Sequence, residues 1–125
     1  MTKASERRQA VVLVVEDEPL LRMMAVDLAQ DAGFDVEEAA NADEALAILE
    51  QRTDIRIVFS DIDMPGSMDG LKLASAIRGR WPPIDLIVTS GIYKRDEVTL
   101  PARSVFFAKP YDRQCVIGTL HRLAA

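Results

Sequence analysis

Residues 11–19 read VVLVVEDEP: Val11-Val12-Leu13-Val14-Val15, then Glu16-Asp17-Glu18, then Pro19. An unbroken apolar run, nearly all β-branched, has no polar face to turn toward water, as in a strand covered on both sides. The three acids end the strand. Pro19, with its φ already near the helical value, suits the first turn of a following helix. The unit is therefore strand, acidic turn, helix.

The same unit recurs along the chain. From about Pro19 to Ala32 the apolar positions Leu20, Met24 and Leu28 are spaced by four, and Gly33 stops the helix. Asp35 to Ala39 reads as a second strand. Asn41 with Glu44 three residues on makes a capping-box-like start for a helix to about Arg52, its apolar face Ala42, Ala45, Leu46 and Leu49. Ile55 to Ser60 is a third strand, ending at Asp61. The loop IDMPGSMDG (62–70) leads into a helix from about Met68 to Gly79, with Leu73 and Ile77 inward. Trp81-Pro82-Pro83 is a turn, Asp85 to Ser90 a fourth strand and Ser104 to Ala108 a fifth. A last helix spans about Asp112 to Leu123, with Val116, Leu120 and Leu123 on one side. Between Gly91 and Ser104 the stretch IYKRDEVTLPAR holds Pro101 and few apolar residues at helical spacing, which predicts one short turn or an irregular loop. Alternation of strand and helix predicts an α/β, doubly wound parallel sheet with helices on both faces.

At 125 residues the chain has the size of one domain. Residues 1–9, with Lys3, Arg7 and Arg8, read as a flexible N-terminal segment ahead of a folded unit at 10–125. The net charge of −5 disfavours direct nucleic-acid binding. No apolar run approaches the roughly 20 residues a bilayer requires, and MTKASERRQA has no apolar signal core, so the expectation is a cytoplasmic chain with no membrane partner. The lone cysteine, Cys115, forms no internal disulfide and reads as a core residue. His121 lies six positions on, off the same helix face, and reads as surface.

Ligands of an open parallel sheet bind beyond the carboxyl ends of its strands. Strand one ends in Glu16-Asp17, strand three in Asp61, strand four in Thr89-Ser90 and strand five in Lys109-Pro110. With strands one and three adjacent, three carboxylates converge, flanked by a lysine and a hydroxyl. Such carboxylates either raise a pKa or bind a cation, and oxygen ligands without His or Cys select magnesium, manganese or calcium. Lys109 adds positive charge and Thr89 a hydrogen bond for a phosphoryl oxygen, leaving Asp61 as nucleophile. Alone, each feature has a blander reading: a helix N-terminus, a turn, a loop start, a β-forming threonine. Their coincidence at separate strand ends gives the phosphoryl reading its force.

From about Val11 to Leu123 the chain resembles the receiver domains of two-component response regulators, through Glu16-Asp17, SDIDMPGSMDG around Asp61, VTSG at Thr89 and FFAKP at Lys109. The resemblance implies a flavodoxin-like sheet of order 2-1-3-4-5. It implies a magnesium site (manganese also fits) on Glu16, Asp17, Asp61 and the backbone carbonyl of Asp63. Asp61 would be phosphorylated by a histidine kinase or phosphotransfer protein, and Lys109 would contact the phosphoryl group. Thr89 and Phe106 would be the switch pair, with a cis Lys109-Pro110 bond. The expected function is a phosphoacceptor that switches affinity for a downstream protein, not an enzyme acting on an external substrate. Because only two residues follow Leu123, the expected type is single-domain, a monomer or weak dimer.

This sequence departs from the family pattern in places. Gly66-Ser67 lengthens the loop after Asp61 by one residue, Asp63 adds a carboxylate two positions past the acceptor, and the fourth helix is degenerate. The last of these puts dimerisation through that helix in doubt. Phe106 also has a plain reading as a core aromatic, although alternation sets Phe106 and Phe107 on opposite faces. Two other classes stay open. Asp-x-Asp after an apolar strand also resembles haloacid-dehalogenase phosphatases, with Asp63 as general acid, although Met64 stands where those have Thr or Val. A pseudo-receiver binding module would keep the fold without phosphorylation. A flavodoxin-type cofactor site is disfavoured, since Glu16-Asp17-Glu18-Pro19 replaces the Gly, Ser and Thr that cradle phosphate.

Overall fold

A computed structural model describes residues 10–64 and 69–125. Five strands, β1 (Val11–Val15), β2 (Asp35–Ala39), β3 (Ile55–Asp61), β4 (Asp85–Ser90) and β5 (Ser104–Ala108), form one sheet of order β2-β1-β3-β4-β5. Every pairing is parallel. The helices are α1 (Pro19–Asp31), α2 (Ala42–Gln51), α3 (Gly70–Arg80) and α4 (Arg113–Ala124). Between β4 and β5 only a single 3₁₀ turn, Arg95–Glu97, takes the place of a helix, as Pro101 and the polar composition of that stretch imply.

The central strands are buried apart from Arg56 near the start of β3, and successive side chains divide between two cores. On one face Leu13, Val15, Val58 and Leu86 meet Ala45 and Leu49 of α2 and Leu73 and Ile77 of α3. On the other, Val14, Phe59 and Ile87 meet Ala25, Leu28 and Ala29 of α1 and Val116 and Leu120 of α4. Helix starts follow the capping chemistry of the sequence. Asn41 Oδ1 accepts from Glu44 N at 2.9 Å, Asp69 Oδ1 from Lys72 N at 2.9 Å and Asp112 Oδ1 from Gln114 N at 2.8 Å. Glu44 Oε1 reaches back to the N–H of Ala40, one residue before the position a strict capping box would use. At the end of α1, Gly33 adopts φ +99°, the left-handed conformation that glycine takes freely.

Two expectations are corrected. The buried stripe of α1 is Ala25, Leu28 and Ala29, whereas Leu20 and Met24 are 61% and 55% exposed. A spacing of four drifts around a helix of 3.6 residues per turn, and the small alanines let the helix lie close on the sheet. Cys115 is exposed, because α4 turns Val116, Thr119 and Leu120 inward and carries position 115 outside that arc. His121 is exposed, as expected, with its Nε2 2.7 Å from the Ala32 carbonyl oxygen. α3 begins at Gly70, while Met68 and the Gly66-Ser67 extension lie outside the described residues, as do residues 1–9.

Candidate functional site

The parallel register brings the carboxyl ends of β1, β3 and β4 level. Val15 pairs with Ser60 and Asp61 with Thr89, so the residues that follow β1 stand beside Asp61. Glu16, Asp17 and Asp61 each present a carboxylate oxygen within 4.8 Å of the others. Glu16 and Asp61 are buried, at 6% and 5% exposure, while Asp17 is open to solvent. Lys109, just past β5, stretches across the strand ends. Its Nζ lies 3.0 Å from Asp61 Oδ2 and 3.5 Å from Glu16 Oε1.

Local structure fixes each of these groups. The N–H of Lys109 donates to Ser90 O at 2.8 Å, and the Lys109-Pro110 bond is cis. Ile62 N donates to Thr89 O at 2.9 Å, extending the β3–β4 ladder beyond Asp61. Asp61 Oδ1 accepts from the N–H of Asp63 at 2.9 Å. Glu16 Oε2 accepts from Glu18 N at 3.2 Å, and Arg22 Nη1 grips the Glu16 carbonyl oxygen at 2.9 Å. At the far side, α3 approaches so closely that a Cβ on Gly70 would lie 2.3 Å from Ile62 Cα and 2.5 Å from Asp61 O. Glycine at that position lets the helix pack onto the strand end that carries Asp61.

The electrostatics follow from burial. Loss of water pushes the Glu16 carboxyl up to about 7, helped by the charge of Asp61 and opposed by the Glu18 N–H and Lys109. Burial works against the Lys109 ammonium, yet the hydrogen bond and charge of Asp61, with Glu16 behind them, outweigh it and raise its pKa. The site thus holds one firmly charged lysine against a cluster of carboxylates in which Glu16 is held more readily protonated than an ordinary glutamate. Carboxylate oxygens drawn from two strand ends fit a hard divalent cation of the magnesium or manganese kind.

Thr89 is buried beside Asp61. Phe106 is half-buried and opposes Val88 in the β4–β5 register; its neighbour Phe107 packs against the α1–α4 core. Both aromatics are partly buried rather than core, and of the two it is Phe107 that packs against a core cluster. Sequence reasoning missed three features. One is a cavity of about 370 Å³ that runs from Glu16, Asp61 and Lys109 to an apolar end lined by Met24, Phe59 and Tyr111. Another is the Arg22 grip on Glu16. The third is Ser90, visible in the sequence only as a strand-end hydroxyl. Its Oγ donates to the Asp63 carboxylate, 2.8 Å from Oδ1, and accepts from the backbone N–H of Ile92 and Tyr93.

No helix among the described residues is long and apolar enough to cross a membrane. The sequence profile of the response regulator receiver domain matches residues 12–118. The sensor kinase CckA of Brucella abortus (strain 2308) is 39% identical over 119 residues, covering 91% of this chain but 12% of its own length. The hydrogenase transcriptional regulatory protein HoxA of Cupriavidus necator is 36% identical over 119 residues, 92% of this chain and 24% of its own. This chain thus spans at most about a quarter of either relative. Among solved structures, the receiver domain of the hybrid histidine kinase CckA is 30% identical, with a TM-score of 0.77 over 92% of this chain and 99% of that one. A response regulator receiver protein from Sinorhizobium medicae WSM419 shares the fold at a TM-score of 0.84 and 23% identity, over 94% of this chain and 96% of that one. With the profile matched from β1 into α4 and the strand order and acidic strand ends in place, the chain belongs to the response regulator receiver domain family of two-component signalling.

Proposed function

We propose that this receiver domain accepts a phosphoryl group on Asp61, with magnesium, and uses it to change its affinity for a protein partner. The observation that carries this reading is the bridge from Lys109 Nζ to Asp61 and Glu16, beside three mutually close carboxylates. A carboxylate oxygen of Asp61 attacks the phosphorus of a phosphohistidine, the P–N bond breaks, and its electron pair leaves with the imidazole. Lys109 meets the phosphoryl oxygens as they move onto Asp61, and Thr89, paired with Asp61 in register, supplies the hydroxyl that follows them. Glu16, Asp17, Asp61 and the Asp63 carbonyl would hold the cation, which when bound neutralises phosphoryl charge. Phe106, on the face opposite the α1–α4 core, is the aromatic free to change packing with Thr89. The phosphoryl donor is a histidine kinase or phosphotransfer protein, and the chain turns over no external substrate.

The Asp63 carboxylate is turned to Ser90 and Gly91 N rather than toward an incoming substrate, which counts against a general-acid role of the haloacid-dehalogenase kind. The test is intact mass after incubation with magnesium and a small acyl phosphate. The wild-type chain gains one phosphoryl group, chelator abolishes the gain, and Asp61→Asn gains none. Equal labelling of Asp61→Asn would overturn the assignment.

A further inference from the structure

Asp63 links the acceptor Asp61 through its side chain to the start of the segment that follows β4. Its backbone N–H donates to Asp61 Oδ1 at 2.9 Å. Its carboxylate accepts from Ser90 Oγ, 2.8 Å from Oδ1 and 3.1 Å from Oδ2, and from Gly91 N at 2.7 Å. Ser90, 1% exposed, uses its whole hydrogen-bonding capacity there: one donation to Asp63, and acceptance from Ile92 N at 3.1 Å and Tyr93 N at 2.8 Å. These bonds form the near anchor of the segment 91–103, which carries the 3₁₀ turn in place of a helix. Its far anchor is Arg78, reaching Ala102 O at 2.7 Å and Pro82 O at 2.8 Å. Just past the near anchor, Ile92 and Tyr93 stand 72% and 45% exposed.

Resting on the reading of Asp61 as phosphoryl acceptor, we propose that the Asp63–Ser90 clamp is the positioning element that couples the state of Asp61 to the segment 91–103. With Asp61 free, the clamp holds Ser90 and the amides of Ile92 and Tyr93. One effect acts against it when Asp61 is filled. An aspartyl phosphate carries close to two negative charges where the free aspartate carried one, so filling adds roughly one charge beside Asp63, whose backbone N–H donates to the acceptor. Filling Asp61 therefore loosens Ser90 and releases the strand of chain bearing Ile92 and Tyr93. The coupling is reciprocal: removing the clamp favours the filled state.

The experiment is amide hydrogen exchange at Gly91, Ile92 and Tyr93 on the whole chain, with magnesium alone and with magnesium plus beryllium fluoride as the phosphoryl probe. In wild type, exchange at these amides quickens about tenfold on filling. Asp63→Ala and Ser90→Ala exchange at the fast rate before filling and change little on filling, while Asp63→Asn, which keeps one acceptor oxygen, is intermediate. Thermal unfolding of each variant separates a loosened clamp from a lost fold. Wild-type rates in unfilled Asp63→Ala and Ser90→Ala, or no response of the wild-type amides to filling, would overturn the coupling. Intact mass with an acyl phosphate on the same samples reports the Asp61 reading separately, so a labelled chain with unresponsive amides sinks the clamp alone.

Discussion

Glu16 is held between requirements that conflict. Burial beside Asp61 lifts its carboxyl to about 7 from an ordinary 4.5, whereas a cation needs it ionised. Its folded pKa lies above the unfolded value, so its contribution to stability is fully present below about pH 4.5 and is lost as pH rises through about 7. In chelator, stability should fall across that window, and Glu16→Gln should flatten the slope and raise Tm above pH 7. Thermal unfolding from pH 4 to 8 checks this; identical slopes in the two proteins would refute the raised carboxyl. Magnesium must displace the same proton, so its affinity should climb toward pH 7 and level off above it, measured by calorimetry.

At the scale of elements, the strand–turn–helix alternation was legible because β1, β3 and β4, buried on both faces save for Arg56, are short runs rich in β-branched residues and bounded by polar turns. The phase of α1 was not. Leu20, Met24 and Leu28 look like a stripe, but small Ala25 and Ala29 carry the contact with the sheet. Leu28→Ala should cost about 2–5 kcal/mol in urea unfolding, and Leu20→Ala or Met24→Ala, at exposed positions, less than about 0.5 kcal/mol. Comparable losses in all of them would restore the sequence-derived face. Cys115 misled in a similar way, since an apolar residue type was read without the phase of its helix. Gly70 shows the other kind of blindness. Its value lies in a backbone approach to Ile62 and Asp61 that no local pattern announces. Gly70→Ala should destabilise by about 1–3 kcal/mol through overpacking, read by the same unfolding curves. Unchanged stability there would mean that α3 can shift freely off the end of β3.

Across the whole molecule, the sheet order gathers residues far apart in sequence, from Glu16 to Lys109, at one edge. Strand ends are readable once the strands are, which is why the positions of Glu16, Asp17, Asp61, Thr89 and Lys109 could be anticipated together. Contacts made by loops across that edge, such as Ser90 with Asp63 and Arg22 with the Glu16 carbonyl, follow from tertiary placement and left no sequence pattern of their own. A switch built on this frame works only if its partner binds the filled and empty states with different affinity. Everything in that account depends on where the phosphoryl group goes. The direct measurement is to treat the chain with magnesium and a small acyl phosphate, reduce the acyl phosphate with borohydride, and locate the resulting homoserine by peptide mass. Phosphorylation of Asp61 gives homoserine at position 61 alone, and none in chelator; homoserine at position 63 or 17, or none anywhere after labelling, would contradict that assignment.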